Sequence, residues 1–572
     1  MRTRRLRDQG PSATTDDMQE TAPPAASSPP SPTHDEPPAD LAFGAFSDRG
    51  PWVVDLAKLP WRADTIPLRE AARAEVPLLT RKRRMPPLRR FVEAGSLVGS
   101  ALLGWRLREY SKEGGAASRA GLSRRLRKAF EKLGPAYIKL GQIVSSGQGI
   151  FPDELVEEFK LCRDQVPPES FATVRKVVEE DLGRPLEEVF ASFDQQCLAA
   201  ASIAQVHAAT LRTGEEVVVK VQRPQVARLV RLDIEAMAWI APFLVGRIPV
   251  AALANPPALV ELFAETIVEE LDFRLEAENM LDIAQVLRDA SQTVIVVPRP
   301  HPTLVTRRVL VMERLRGFKY EDVDAMRAAG IDTEAVLRSL LICFLEGAMI
   351  YGVFHGDLHG GNLLVMPDGR VALFDYGMTG RMNDKQRLAF LRMMMTGAVN
   401  DVKGQIAAFR DLGALPENVD IRGLIKDLKI DQPVRDPTKM SGEELIGEIR
   451  EILKALLARG AKLPKHLMLY VKNMIFIDGA IVRLAPDIDL IAEVGKVYGY
   501  FAIRHGARIM SEIGFDPTQN AYDPANVRAQ LGLEDDVQSL SHRELRERRA
   551  VLQKRVEDAG GLPVVDDKEE AR

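Results

Sequence analysis

Apolar residues recur at three- and four-residue steps from Leu122 to Val178, which predicts helices. The spacing changes between Glu188 and Val221. There the run Glu215-Glu216-Val217-Val218-Val219-Lys220-Val221 predicts a strand that carries a lysine near its end. Helical spacing returns from Leu229 to about Val286, followed by two strand-like runs, Val294–Val297 and Val309–Met312. From Thr333 to about Glu512 the pattern is mostly helical. Two apolar runs interrupt it, Met349–Phe354 and Val371–Phe374, and each stops at a polar motif. The fold class is therefore α+β, a small β-containing lobe followed by a helical lobe, with no internal repeat.

The two ends read differently. Residues 1–45 hold eight prolines between Pro11 and Pro38 and many Ser, Thr and acidic residues, which predicts a disordered tail. Residues 46–121 read as a basic and apolar linker with a helix. Between 81 and 128 stand fourteen Lys or Arg against Glu93, Glu109 and Glu113. The apolar run Leu97–Trp105 inside that stretch is too short to span a bilayer. It fits a helix packed on the main domain or one lying on an anionic membrane surface. Residues 122–185 form a helical extension, 186–315 the β-containing N-lobe with inserted helices, and 316–512 the C-lobe. Residues 513–572 are a charged tail in which Ser541–Asp558 predicts a solvated helix.

A net charge of −4 argues against nucleic acid as a partner. Cys162, Cys197 and Cys343 stand far apart and match no metal spacing, which suits a reducing, cytoplasmic setting. No stretch reaches about 18 uninterrupted apolar residues, and no apolar core follows the N-terminal Met-Arg-Thr-Arg-Arg, so neither a membrane span nor a secretory signal is expected. Membrane contact would then be peripheral, on an inner face. Whether the chain forms a homodimer is left open.

The chemistry concentrates in His355-Gly356-Asp357-Leu358-His359-Gly360-Gly361-Asn362 and in Phe374-Asp375-Tyr376-Gly377. Phosphoryl transfer of the kinase type needs a carboxylate at the nucleophile, an Asn on one Mg²⁺ and an Asp on the Mg²⁺ that bridges the phosphates. Asp357, Asn362 and Asp375 stand at that spacing, with Asp357 catalytic and the other two as metal ligands. Either motif alone would suit an ordinary polar loop or tight turn. Lys220 closes its β-branched run where a kinase lysine meets the α- and β-phosphates of ATP. The small-residue run Ala199-Ala200-Ala201-Ser202, with Gln205, lies between strand-like stretches where a phosphate-cradling loop belongs. Alanine in place of glycine makes that loop stiffer. Glu276 is the expected carboxylate for Lys220, with Glu270 second. Met312-Glu313-Arg314 resembles a hinge whose backbone would meet the adenine edge.

Taken together these residues resemble the UbiB/AarF family of atypical kinase-like proteins from about Leu122 to Leu490. The most specific match is Lys139-Leu140-Gly141-Gln142, which looks like the family's K-x-G-Q signature. Pro152, Arg163-Asp164-Gln165-Val166-Pro167-Pro168, the Ala-rich loop, Val217–Pro224, Glu270–Ala277 and Asp478–Asp487 also match. The resemblance implies an atypical protein-kinase-like two-lobe fold with an N-terminal helical extension. It implies that the extension covers the cleft, that Lys139 reaches the active site with Gln142 beside it, and that peptide substrates are obstructed. It further implies ATP and Mg²⁺ as ligands and support of ubiquinone or other isoprenoid-lipid metabolism at a membrane. Independently, no A-P-E and no long activation segment follow Asp375. Ser145–Gly149 lacks the family's Arg and Asp, and Leu358 and Gly360 replace two prolines. Two functions compete: an ATP-using kinase or ATPase, and a nucleotide-gated module that binds lipid or a protein complex with little phosphotransfer.

Overall fold

The computed structural model describes residues 39–47, 50–81, 85, 87–110, 115–145, 153–161, 167–244, 256–398, 402–428, 455–456, 459–461, 464–515, 524–525, 528 and 538–558. The small lobe is a five-stranded antiparallel sheet. In chain order its strands are β1 (Phe190–Ala200), β2 (Ala204–Leu211), β3 (Glu216–Gln222), β5 (Pro300–Val305) and β6 (Val309–Glu313). A short β4 (Ile295–Val296) precedes β5 and belongs to the other lobe. The spatial order is β1-β2-β3-β6-β5, which puts the β-branched β3 in the centre. Val217, Val219 and Val221 alternate into the core, so Lys220 faces the other way. Helix Phe273–Asp289 lies along this sheet. Asp272 starts it by accepting the Arg274 backbone N–H at 3.1 Å, which fixes Glu276 in the first turn.

The larger lobe is helical, with two small sheets at its cleft side. One has the order β4-β10-β9-β7, with β7 at Phe318–Lys319, β9 at Leu363–Val365 and β10 at Val371–Leu373; the other pairs β8 (Val353–His355) with β11 (Thr379–Arg381). The β9–β10 hairpin presents its two polar motifs at adjacent ends, because Phe374 donates its backbone N–H to the Asn362 carbonyl at 3.0 Å. Helix Asp384–Ala398 begins nine residues after Asp375, so no long activation segment intervenes. This is a protein-kinase-like two-lobe fold.

A separate core holds the helical extension together. Helices Thr65–Thr80, Leu88–Arg108, Gly115–Leu133, Pro135–Ser145 and Asp153–Lys160 pack with Val226–Leu244 and Pro256–Ile267. The two inserted helices expected within the N-lobe therefore join the extension's core instead. The reason is that Val226, Val230, Ile234 and Met237 form a helical stripe that shares the extension's core, where their helix packs against helices Leu88–Arg108 and Pro135–Ser145. Helix Phe171–Leu182, placed by sequence in the extension, packs on β3 and β6 through Val174, Val177 and Val178.

Three other expectations change. The Pro-rich tail was expected to run to residue 45, yet Leu41, Phe43 and Ala45 are buried in the main core with Phe46, Trp52 and Trp61. Their aromatic payload outweighs the composition of the residues before them. Residues 1–38 lie outside the described residues. The C-terminal helix His542–Asp558 is solvated over most of its described length, but its first turn is docked, with Leu545 and His542 buried and His542 bonded to Asp478 at 3.1 Å. On helix Leu88–Arg108, Trp105 is buried and donates to the Ser118 carbonyl at 2.9 Å, so it cannot anchor in a membrane. Much of the basic charge nearby is paired internally: Arg90 with Asp233, Arg119 with Glu154, Arg125 with Glu109 and Arg127 with Glu131. Lys82–Arg84, Ser146–Gly149 and Cys162–Val166 lie outside the described residues. Among the described residues no helix is long and apolar enough to cross a membrane.

Candidate active site

The cleft between the lobes gathers four carboxylates and three lysines. Lys220 on β3 binds both oxygens of Glu276, at 2.7 and 2.9 Å, and Asp375 Oδ1 at 3.2 Å. Burial pulls the Lys220 pKa down, but attraction to Asp375 and Glu276 outweighs it, and the ammonium stays charged. Burial in turn pushes Glu276 up, with Lys220 opposing, to about 7. Asp375 adopts φ 56°, a left-handed conformation that a non-glycine residue enters only when held. Its holders are Lys220 and the Gly377 backbone N–H, 3.3 Å from Oδ1. Desolvation in the cleft raises the Asp375 pKa, yet Lys220 and Lys139 bring it well below the usual carboxylate range.

The loop from His355 to Asn362 is fixed by its own histidines and by residues far along the chain. His355 Nδ1 accepts the Asp357 backbone N–H at 3.2 Å, so the ring proton sits on Nε2, which donates to the Phe374 carbonyl at 3.1 Å. Burial lowers the His355 pKa and keeps the ring neutral in that tautomer. His359 Nδ1 accepts from the Gly361 N–H at 3.1 Å, which starts the turn that delivers Asn362. Asn362 Nδ2 donates to the Asp357 carbonyl at 3.0 Å, so its amide oxygen points away from that bond. Tyr376 is buried, packs edge-on against His355 and donates its hydroxyl to the Leu373 carbonyl at 3.2 Å. Its own carbonyl accepts from Asn279 at 2.8 Å, tying the Asp375 turn to the helix that carries Glu276.

Helix Lys465–Leu484 supplies two residues that the motifs did not reveal. Lys472 Nζ lies 2.5 Å from Asp357 Oδ1. Fully buried Asn473 accepts the Leu358 N–H at 3.0 Å and donates to the His355 carbonyl, bracketing Asp357 on both sides. Burial pushes Asp357 up, but Lys472, His359 and Lys139 outweigh it and hold its pKa at about 2. A polar Lys-Asn pair inside the apolar run Leu467–Ile477 was the available sequence signal.

Lys139 comes from the extension, on a helix buried along nearly its whole length. Its ammonium ion-pairs with Glu270 at 3.1 Å and feels Asp357 and Asp375 as well. Burial lowers its pKa, but those three carboxylates raise it further. Burial raises the Glu270 pKa, with Lys139 opposing. Gln142 stands one turn after Lys139 on the same helix, half-buried.

The alanine run is a tight hairpin tip. Ala199 and Ala200 end β1; Ala201 donates its N–H to the Ala204 carbonyl at 2.8 Å, and its own carbonyl takes Arg223 Nε at 3.0 Å. Ser202 and Ile203 are buried, Ile203 within the extension's core. The loop is thus pinned from both sides. Gln205 does not face the cleft. In the β2–β3 register Val206 opposes Lys220, so Gln205 points to the other face, where it bonds His207 at 2.8 Å and accepts the Glu169 N–H at 2.8 Å. Its expected contact with nucleotide is therefore corrected. The Glu313 carboxylate is held by Arg299 at 3.1 and 3.2 Å, and its N–H is given to the Arg299 carbonyl at 2.9 Å. That backbone N–H is not available to adenine.

Comparisons with known proteins show the family. Residues 161–408 match the ABC1 atypical kinase-like domain. An uncharacterised protein of Mycobacterium tuberculosis is 34% identical over 399 residues, 66% of this chain and 77% of that protein. An uncharacterised, chloroplastic aarF domain-containing protein kinase of Arabidopsis thaliana is 30% identical over 393 residues, 64% of this chain and 73% of the other. A protein of Marinobacter nauticus named probable protein kinase UbiB is 28% identical over 376 residues, 64% of this chain and 67% of the other. With its Lys220–Glu276 pair, its HGDLHGGN loop and its DYG turn in one cleft, this chain belongs to the ABC1 atypical kinase-like family.

Proposed function

We propose that the chain binds Mg²⁺ and ATP between its lobes and acts as an atypical kinase or ATPase that supports ubiquinone or other isoprenoid-lipid metabolism. The observation that carries this reading is the convergence of Lys220, Glu276, Asp375, Asn362 and Asp357 on one cleft. An amide oxygen and a carboxylate are hard donors that suit Mg²⁺, so Asn362 and Asp375 would hold it. Bound Mg·ATP supplies the phosphoryl group and the metal charge that balances it. Lys220, already held by Glu276, would meet the phosphates as a point charge. Asp357, ionised and with a pKa of about 2, is a weak base at neutral pH. Its part is to orient an acceptor hydroxyl or water. The ubiquinone part rests on the resemblance to the UbiB/AarF family, with which the name of the Marinobacter relative, probable protein kinase UbiB, accords. Lipid and quinone profiling of a deletion strain tests it: wild-type protein restores the profile and Asp375→Asn does not. Equal rescue by both would refute the ATP-dependent role.

Two observations favour a second reading, a nucleotide-gated binding module. The alanine tip is pinned by Arg223 and Ile203, and Lys139 occupies the site from the extension. Ala200→Gly discriminates the two: a gain in phosphotransfer favours a restrained kinase, and no change favours the module. Peripheral lipid contact now rests on a different face than Trp105. Leu88, Val92, Leu103 and Leu107 form an exposed stripe on helix Leu88–Arg108, beside exposed Arg89, Arg106 and Arg108. Leu103→Ser with Leu107→Ser should abolish co-sedimentation with anionic liposomes; unchanged binding would remove this part of the proposal.

A further inference from the structure

Lys472 belongs to none of the kinase motifs and lies beyond residues 161–408, the matched region. Its Nζ nevertheless stands 2.5 Å from Asp357 Oδ1, and the two side chains are only 14% and 11% exposed. The same helix grips the loop backbone on both sides of Asp357 through Asn473. One turn earlier Leu469 closes the space beside Gly356, where a Cβ would meet it at 3.1 Å. Consecutive turns of one helix thus form the floor under the catalytic carboxylate. Packing alone would be served better by an apolar residue, because burying an ammonium costs free energy unless it is paired.

The other two lysines pair with other carboxylates of the cleft, Lys220 with Glu276 and Asp375 and Lys139 with Glu270. Lys472 alone is paired with the carboxylate that must face the acceptor. Lysine is a point charge with three donors on a flexible stem, so it can hold Asp357 with one N–H and offer the others to a second anion.

We propose that Lys472 is the cation of the transfer site, fixing Asp357 through Oδ1 and sharing its charge with the γ-phosphoryl group of ATP. The proposal rests on the ATP-using reading above. In the step, the oxygen of water or of an acceptor hydroxyl bonds to the γ-phosphorus. The bond from that phosphorus to the bridging oxygen breaks, and its electron pair leaves with ADP. The acceptor's proton passes to an oxygen of the transferred phosphate. Lys472 offsets the negative charge spread over the transferred group, and its hold on Oδ1 leaves Oδ2 to orient the acceptor.

The test uses the full chain with Mg²⁺ and either ADP or a non-hydrolysable β,γ-methylene analogue of ATP, read by titration calorimetry. Loss of one charge-assisted contact in Lys472→Met should weaken the analogue about 10- to 100-fold and ADP by less than about threefold. Lys472→Arg keeps the charge and should recover part of the difference. A merely structural role would weaken both nucleotides alike. Turnover at saturating ATP should fall about 100-fold in Lys472→Met. Thermal unfolding of both variants separates misfolding from loss of the contact, and Lys472→Arg carries the comparison if Lys472→Met fails to fold. Equal losses for both nucleotides, or none, would overturn the proposal alone. A wild-type chain that binds neither nucleotide would overturn the ATP reading and this proposal with it.

Discussion

Asn473→Ala probes the architecture of the site away from any ligand. Asn473 is fully buried and serves two backbone groups of the loop around Asp357, the Leu358 N–H at 3.0 Å and the His355 carbonyl. Alanine leaves both without a partner. An unsatisfied buried polar group costs about 1–3 kcal/mol, so the pair should cost about 2–6 kcal/mol in stability. Asp357 lies between the two anchors, and a displacement of about 1 Å there should lower turnover about 100-fold. Urea unfolding and phosphate release, measured on the same preparation, give both numbers. Asn473→Asp is the control: it keeps the acceptor for Leu358 but loses the donor to His355 and sets a second carboxylate beside Asp357. It should fold better than the alanine variant and turn over no faster. A stability loss under about 1 kcal/mol with an unchanged rate would refute the claim that helix Lys465–Leu484 builds the loop.

Three further outcomes are expected. Gly380→Ala should unfold the cleft side of the C-lobe, because its Cβ would overlap the buried Phe354 ring across the β8–β11 pair; a soluble variant with a wild-type melting temperature would contradict that packing. Burial, only partly offset by the Leu41 carbonyl, lowers His301 from 6.5 to about 4. A depressed pKa contributes stability that is complete above the unfolded value and lost as pH falls toward the folded one. Urea stability should therefore drop between pH 6.5 and 4 by up to about 3 kcal/mol, and His301→Gln should flatten that slope. Asp357, held from 3.8 to about 2, adds about 2 kcal/mol that is lost only below about pH 4, so the two losses fall in separate windows.

The geometry of the cleft was legible in the sequence where residues close along the chain are also close in space. Asn362 and Asp375 flank the β9–β10 hairpin and Asp357 lies five residues before Asn362, so a local fold brings the three together. The same holds for Glu276, which an N-capping Asp272 places in the first turn. What depends on long-range packing was not readable. Gln205 lies one residue from Val206, and the strand's two-residue period sends them to opposite faces. Lys472 and Asn473 reach the loop from more than one hundred residues away, and only an apolar helix interrupted by two polar residues hinted at them. Leu41 to Trp61 were obscured by the proline-rich stretch before them, although their aromatic residues are core material. The inserted helices were assigned by position in the chain, whereas their apolar stripes chose the extension.

Nucleotide titration with and without Mg²⁺ tests the central claim most directly. The account predicts that the wild-type chain binds ATP in an Mg²⁺-dependent manner, and that Asp375→Asn, which removes a ligand charge and a Lys220 partner, loses that dependence. Equal affinity of the two proteins for ATP, with or without Mg²⁺, would contradict it.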